Sequence, residues 1–176
     1  MEERFDVLNE YGEFTGQTAT REECHKKGLW HRAVYAFIID TKGNVLLQKR
    51  SNEKKLWPNM WDVTVGGHVD SGEFGEEALI RETKEELGIE IDSDDIKYLV
   101  GSNSINKKDN IINKHYNECY LITKDIDISQ IKLQKEEVSE VRYFSKEELS
   151  KRIVNNYDGL TEKTGPWNFI QKILSR

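Results

Sequence analysis

The sequence predicts a single α+β domain built around a mixed β-sheet. Segments rich in β-branched and aromatic residues occur both before and after one long amphipathic segment, and further helical segments follow near the end. The connections between the strand segments are mostly short, which favours hairpins over the long crossovers of a parallel sheet. The chain has no internal repeat and no linker-like stretch, so we expect one domain over residues 1–176.

Residues 1–28 are predicted to form an extension ahead of the core. The stretch FDVLNEYGEFTG is typical of a hairpin with its turn at Tyr11 and Gly12. Thr20, with Glu23 three residues later, forms a capping box that predicts a short helix ending at Lys27. This hairpin would also give a homodimer a contact surface, and the sequence leaves the oligomeric state open.

The core is predicted over about residues 29–155, beginning with three strands and the longest helix. The segments AVYAFIID and VLLQKR flank a tight TKGN turn, and WDVTVGG forms a further short strand. A helix then spans residues 74–87, and Gly88 is placed to end it in a left-handed conformation.

The second half of the chain predicts three more strands and two helices. The strands are IKYLVGSNSI, YNECYLIT and VRYFS. Ser145 and Glu148 form a capping box for a helix ending at Val154. Residues 156–176 hold the last helix, from Trp167 to Leu174, with its apolar side chains on one face.

Composition excludes several classes of protein. The formal net charge is −6, which argues against a stable nucleic-acid partner, because such a surface needs a basic field. The segments of the chain are too polar for a membrane span or a secretory signal. Cys24 and Cys119 are too few for a disulfide framework and fit a reducing compartment. We therefore expect a cytoplasmic protein without a membrane partner.

The stretch GGHVDSGEFGEEALIRETKEELGI, residues 66–89, carries an unusual density of carboxylates. Glu82, Glu85 and Glu86 stand at helical positions i, i+3 and i+4, so their side chains share one face. Carboxylates held so close repel one another unless a cation lies between them. Oxygen ligands of this kind suit Mg²⁺ or Mn²⁺, whereas the alternative is a solvated acidic face.

The intervals within this stretch resemble the motif of the Nudix hydrolases, G-x5-E-x7-R-E-U-x-E-E-x-G-U, where U is a bulky aliphatic residue. The matching positions are Gly67, Glu73, Arg81, Glu82, Glu85, Glu86, Gly88 and Ile89. Thr83 departs from the motif because it occupies the first aliphatic position, and we expect only weaker packing there. The resemblance implies an α/β/α sandwich with a mixed sheet, to which this chain adds its N-terminal hairpin.

The resemblance also implies roles for the residues that match the motif. The implied metal ligands are Gly67, through its carbonyl, and Glu82, Glu85 and Glu86. The implied catalytic residues are Glu82, as or beside the general base, and Glu85, with Arg81 and Glu73 as a structural pair. The base would otherwise come from a later loop, where Glu136 and Glu137 are candidates.

These roles predict a Mg²⁺-dependent hydrolase that cleaves a small-molecule diphosphate of the nucleoside diphosphate-X type, by water attack at phosphorus. Mn²⁺ is an alternative ion. Lys49, Arg50, Trp61 and His68 are candidate substrate-binding residues near the expected cleft, although salt bridges and core packing explain them equally well.

The flanking sequence also resembles the branch that contains type I isopentenyl-diphosphate isomerases. His25, His31 and His68 stand near the positions of the histidines that gather around a metal in those enzymes, whereas we expect His115 on the surface. Gly66 occupies the position of the isomerase cysteine and has no group that transfers a proton. We therefore favour a hydrolase, with an isomerase and a non-catalytic nucleotide-binding sensor as alternatives.

Overall fold

The computed structural model describes residues 2–175, without the side chains of Lys108 and Thr164. The strands are β1 Arg4–Leu8, β2 Phe14–Thr20, β3 Trp30–Ile39, β4 Val45–Arg50, β5 Trp61–Asp62, β6 Val65–His68, β7 Ile96–Lys108, β8 Ile111–Thr123 and β9 Val138–Phe144. The helices are α1 Arg21–Lys27, α2 Gly75–Leu87, α3 Lys146–Val154 and α4 Thr164–Leu174. None of the helices within residues 2–175 combines the length and apolarity needed to cross a bilayer.

Strand β3 organises the sheet. It runs parallel to β8 over its whole length, from Trp30 opposite Lys114 to Ile39 opposite Thr123. Its other neighbours are antiparallel: β1 pairs with its first residue, β6 with its middle and β4 with its end. Strands β7 and β8 form a long hairpin, and β9 adds to β4. The sheet is therefore mixed, as predicted.

The sheet separates two apolar cores. On one face, Leu79 and Leu87 of α2 pack against Val34, Ala36 and Ile38 of β3. On the other face, side chains of α3 and α4 pack against the alternate residues of β3; this second core includes Tyr35, Phe37, Leu149 and Trp167. Successive side chains of β3 point to opposite faces of the sheet and so contribute to both cores. The predicted α/β/α sandwich is confirmed.

The predicted strand WDVTVGG is wrong in one respect, because the structure divides it into β5 and β6. Strand β5 pairs with β4, whereas β6 pairs with β3. Thr64 lies at the break, fully buried; its hydroxyl accepts from the Ile38 amide at 2.9 Å and donates to the Leu46 carbonyl. The hydroxyl thus gives hydrogen-bond partners to one backbone group of β3 and one of β4, at the point where the ladder between strands is interrupted.

The N-terminal extension forms the predicted hairpin and helix. Strands β1 and β2 are antiparallel, and β2 lies at the edge of the sheet. Thr20 and Glu23 make both reciprocal hydrogen bonds of the capping box, at 3.2 and 3.1 Å. Phe5 and Cys24 are fully buried in a small separate core. The extension is thereby packed onto the rest of the molecule.

Candidate active site

Helix α2 carries the carboxylates toward a cavity beside β6. It ends at Gly88, which adopts a left-handed conformation with φ of 66°, as the sequence predicts. Glu86 is buried, the Glu82 side chain is 13% exposed, and the Glu85 side chain is 55% exposed. The three carboxylates therefore form a gradient from the protein interior to the cavity mouth.

Gly67 of β6 lies against Glu82. A Cβ atom built at Gly67 would stand 2.1 Å from the Glu82 Cδ, which no real pair of atoms tolerates. Glycine is thus required by close approach rather than by an unusual backbone angle. The contact brings a main-chain segment and a carboxylate to the same wall of the cavity.

Arg81 links the loop before α2 to the carboxylates. Its Nε donates to Glu73 Oε1 at 3.0 Å and its Nη2 to Glu73 Oε2 at 2.9 Å, a two-pronged contact. Nη2 also donates to the His68 carbonyl at 3.0 Å, and Nη1 to Glu82 Oε1 at 2.9 Å. Arg81 further holds Glu85 Oε2 at 3.4 Å from Nη1. One side chain therefore positions three carboxylates and the end of β6.

Glu86 is the most perturbed carboxylate of the site. Burial, with the charges of Glu82 and Glu137 nearby, raises its pKa to about 8. Gln48 of β4 donates to its Oε2 at 3.1 Å. The pKa of Glu82 is also raised, mainly by burial, although Arg81 opposes the change.

This donor set fits a hard divalent cation. Two of the three carboxylates are largely buried and close to one another, which is unfavourable when both are charged. A cation between them would convert that repulsion into coordination, and an all-oxygen set matches the preference of Mg²⁺ and Mn²⁺. Glu82, Glu85 and Glu86 are the residues that would hold it, together with the Gly67 carbonyl.

The adjoining cavity has a volume of about 940 Å³ and a mixed electrostatic lining. Its cationic side chains are Arg21, Arg50, Lys54, Lys55, Arg81 and Lys163. Its acidic side chains include the three helix carboxylates, Glu136 and Glu137. Such a wall can hold both a metal ion and phosphate oxygens.

The predicted substrate-binding residues divide into two groups. Arg50 and His68 line the cavity, but the Arg50 guanidinium already binds Asp62 at 3.0 Å and the Leu56 carbonyl at 3.0 Å. Lys49 and Trp61 lie outside the cavity lining. The Lys49 ammonium is 3.8 Å from Glu140 and lies over the Trp61 ring. Alternation along β4 turns Lys49 and Gln48 to opposite faces, and Trp61 lies opposite Lys49 on the neighbouring strand β5.

The two later glutamates also border the cavity. Glu137 forms an ion pair with Lys54, so a candidate base and a cation share one edge of the opening. Trp57 also lines the cavity, with a positive φ of 47°, and the Lys163 ammonium is 5.6 Å from its ring centre. Aromatic and cationic groups therefore meet at the cavity mouth.

His68 is one of a group of histidines rather than an isolated polar residue. His25, His31 and His115 surround it, each with a ring nitrogen within 4.8 Å of the others. The surface position expected for His115 is wrong: its Nε2 is buried and its ring contacts His31. Burial lowers the pKa of all four, that of His25 to about 4.

Sequence reasoning missed two residues that shape the site. Gln48 donates a hydrogen bond to Glu86. The cue in the sequence was a polar residue at the end of the apolar run VLLQ. Arg32 donates to the Glu73 carbonyl at 2.6 Å, and its guanidinium lies 3.7 Å from the Glu118 carboxylate. Arg32 belongs to a strand in which apolar residues predominate. A polar side chain in a central strand was the available cue in both cases.

Comparison with known proteins agrees with this geometry. The NUDIX domain family model matches residues 29–163. A Nudix hydrolase of Listeria monocytogenes is 40% identical over 147 residues, covering 84% of this chain and 82% of that protein. Nudix hydrolase 3 of Arabidopsis thaliana is 38% identical over 152 residues, but this chain spans only 20% of its length.

Solved structures show the same fold. The crystal structure of DR0079 from Deinococcus radiodurans matches with a TM-score of 0.70 and 25% identity, covering 99% of this chain and 98% of that one. An Ap4A hydrolase of C. elegans matches with a TM-score of 0.55 and 20% identity, covering 82% and 97%, which supports the fold alone. The chain therefore belongs to the Nudix hydrolases, which cleave pyrophosphate bonds and generally use a divalent metal.

Proposed function

We propose that the protein is a Mg²⁺-dependent hydrolase of small-molecule diphosphates of the nucleoside diphosphate-X type. The observation that carries this proposal is the convergence of Glu82, Glu85 and Glu86 with Gly67 on one cavity wall, held by Arg81. Mn²⁺ is the alternative ion, because the all-oxygen donor set also suits it.

When bound, the ion would neutralise charge on the diphosphate and acidify a nearby water. In this proposal Glu82 takes the proton of the attacking water. The contacts with Arg81 and Gly67, which fix its carboxylate at the cavity wall, support that role. The water oxygen then forms the new bond to phosphorus, and the bond from phosphorus to the bridging oxygen breaks. Arg81 contributes by positioning Glu82 rather than by contacting substrate.

Glu137 is the second candidate for the base. It borders the cavity and is paired with Lys54, which fixes the direction of its carboxylate. A charged pair at the rim would also interact with phosphate oxygens through Lys54. The turnover number of Glu137→Gln at saturating substrate and Mg²⁺ distinguishes the two assignments, because Glu82 is also a proposed metal ligand and its loss lowers turnover in either case. Loss of most turnover in folded Glu137→Gln would assign the base to Glu137, and retained turnover would leave it with Glu82.

The cavity supports a small polyanionic substrate. Its lining combines cationic side chains with the α2 carboxylates, so a diphosphate held near α2 would also meet positive side chains. Lys163 lies near the ring of Trp57, which offers an aromatic surface in the same cavity for the group attached to the diphosphate. Stable nucleic-acid binding is not part of the proposal, because the chain is acidic.

Two alternatives are less well supported. An isomerase of allylic diphosphates needs an acid and a base on opposite faces of the substrate, and Gly66 at the cavity wall supplies neither. A non-catalytic nucleotide-binding sensor would not need the Glu73–Arg81–Glu82 arrangement. A homodimer through the N-terminal hairpin is a further proposal, supported by the exposed side chains of Tyr11 and Phe14.

A substrate panel tests the proposal. Phosphate or nucleotide release is measured with Mg²⁺, with Mn²⁺ and with chelator, over nucleotide sugars, dinucleoside polyphosphates, nucleoside triphosphates, coenzyme fragments and isopentenyl diphosphate. We expect metal-dependent cleavage of at least one compound between two phosphorus atoms. Isomer formation from isopentenyl diphosphate without phosphate release would establish the isomerase instead, and tight nucleotide binding without turnover would establish the sensor.

A further inference from the structure

One face of the β7–β8 hairpin carries a set of polar side chains. The strand register pairs six of its residues: Ser102 with Asn117, Ser104 with His115 and Asn106 with Asn113. Residues directly opposite each other in an antiparallel pair point to the same face of the sheet. All six border the cavity that adjoins the carboxylates of α2. The serines and asparagines of this set, Ser102, Ser104, Asn106, Asn113 and Asn117, are here called the polar wall.

The polar wall is separate from the charged lining of the cavity. Among the described residues, no lysine, arginine, aspartate or glutamate of β7 or β8 borders the cavity. Burial lowers the pKa of His115 well below its usual range, so this face of the hairpin is uncharged at neutral pH. The charged groups of the cavity, such as Lys54 and Glu82, come from other elements. A diphosphate needs those charges, which leaves the polar wall for the uncharged part of a substrate.

Hydrogen bonds within the hairpin fix part of the polar wall. The Asn117 side-chain amide donates to the Ser102 carbonyl at 3.2 Å and to the Ser104 hydroxyl oxygen at 3.0 Å. A serine hydroxyl that accepts a hydrogen bond still has its own hydrogen to donate. Ser104 is therefore held in place with a donor for a ligand, and a group fixed in advance loses little entropy on binding.

Asn113 supplies the strongest sign of a ligand. Its Oδ1 is buried and has no hydrogen-bond partner among the described residues. A buried acceptor without a partner is destabilising, because it loses its hydrogen bond to water and gains nothing. A hydroxyl or amide hydrogen of a ligand would satisfy it. An alkyl chain or an ionised phosphate oxygen would not, because neither has a hydrogen to donate.

An aromatic ring bounds the same part of the cavity. A second cavity, of about 490 Å³, lies between the loop after β4 and the end of β7, and it shares Trp57 and Asn106 with the larger one. The Trp57 ring and the polar wall therefore border one continuous space. An apolar surface combined with a few fixed polar groups is typical of sites for uncharged organic ligands.

We infer that the polar wall binds the group attached to the diphosphate and selects an uncharged, hydroxyl-rich group over an apolar one. The inference rests on the proposed function, which places the diphosphate beside α2. Hydroxyl groups both donate and accept hydrogen bonds, as serine and asparagine side chains do. An isoprenoid chain in this place would leave the Asn113 acceptor and the Ser104 donor unpaired, and a site built for hydrogen bonds rejects such a ligand.

Equilibrium binding tests the inference apart from hydrolysis. Calorimetry with Glu85→Gln in Mg²⁺ compares UDP-glucose with UDP-cyclohexyl ester, in which a ring without hydroxyls replaces the sugar. The ADP pair is compared in the same way, because the inference assigns no base. We expect the glucose compound to bind about tenfold or more tightly in at least one pair. Equal affinities in both pairs, or no measurable binding of any compound, would overturn the inference.

Matched variants in the same Glu85→Gln background locate the selected group. Asn113→Leu and Ser104→Ala should each reduce the affinity ratio between the glucose and cyclohexyl compounds about threefold or more, because each removes one hydrogen-bonding partner. Asn110→Leu is the control, since Asn110 is exposed in the turn of the same hairpin and outside the cavity lining. Thermal denaturation confirms folding.

An unchanged ratio in folded Asn113→Leu and Ser104→Ala would show that the group binds elsewhere and would overturn the inference. Failure of the proposed function gives a different result. In that case the wild-type protein cleaves no compound of the panel in a metal-dependent way, while the binding preference and its loss in the two variants persist.

Discussion

Arg81 holds Glu73 by two parallel hydrogen bonds, of 3.0 and 2.9 Å, and the same guanidinium donates to Glu82. The pKa of Glu73 is lowered, since hydrogen bonding and charge from Arg81 outweigh its burial. This relationship makes the loop before α2 and the carboxylate face one rigid unit. The activity we propose depends on that rigidity.

Arg81→Lys should lower kcat/KM by about 10- to 100-fold, because lysine keeps the charge but not the planar fork that fixes both carboxylates. Steady-state kinetics with the best panel substrate measures the effect. Arg142→Lys is the matched control, since Arg142 forks Glu148 in the same way, at 3.0 and 2.9 Å, outside the cavity. Equal losses in the two variants would show that Arg81 acts through stability alone.

Gly67→Ala should lower kcat by about 100-fold, because its methyl group needs the space that Glu82 occupies and must displace that carboxylate. Gly66→Ala is the control: its added Cβ would meet Val63 at 3.4 Å, an ordinary contact, and its backbone amide is kept. Thermal denaturation of both variants separates misfolding from misplacement. Normal kcat in folded Gly67→Ala would remove Glu82 from the proposed role.

Glu86 should make the metal-free protein less stable at alkaline pH. Its folded pKa of about 8 lies above the ordinary glutamate value of 4.5, so the folded state binds more protons between these values. Its contribution is present below about pH 4.5 and is lost as the pH rises to about 8. Metal-free Glu86→Gln should therefore be more stable than wild type at about pH 8 and similar near pH 4.5.

Urea denaturation with chelator, at several pH values, measures this difference. The difference between wild type and Glu86→Gln is informative because the histidines contribute equally to both proteins. A difference that does not vary with pH would show that Glu86 titrates normally despite its burial beside Glu82.

The histidines should make the metal-free protein sensitive to acid. Burial lowers their folded pKa values, that of His25 to about 4, so the unfolded state binds more protons below the ordinary histidine value of 6.5. Stability is full above about pH 6.5 and falls as the pH decreases, by about 1.4 kcal/mol per pH unit for each histidine that titrates. His25→Gln should show a shallower fall in urea denaturation between about pH 6.5 and 5.

Much of the fold could be predicted from local signals. The capping box at Thr20 and Glu23 and the stop at Gly88 depend on residues close in sequence, and the structure confirms them. The split between β5 and β6 could not be predicted, because it depends on which neighbour each half of WDVTVGG finds. Lys49 and Trp61 show the same limit: their polarity and size do not reveal which face of the sheet they occupy.

The candidate site likewise contains some features that the sequence predicts and others that depend on the tertiary fold. Helical spacing alone predicts that Glu82, Glu85 and Glu86 share a face. Nothing local in the sequence links Gln48 to Glu86 or joins His115 to His25, since each contact is between a strand and a helix that are distant along the chain. Residues that meet only through the tertiary fold carry no periodic signal, and His115 was misplaced for that reason.

The proposed role of the α2 carboxylates can be tested by one comparison. Hydrolysis of the best panel substrate is measured in Mg²⁺ for wild type, Glu85→Gln and Glu90→Gln; Glu90 is an exposed carboxylate of the same motif region, paired with Lys84 outside the cavity. We predict that Glu85→Gln loses most turnover while remaining folded, and that Glu90→Gln keeps it. Full Mg²⁺-dependent turnover in Glu85→Gln would contradict the role assigned to Glu85 in the carboxylate site.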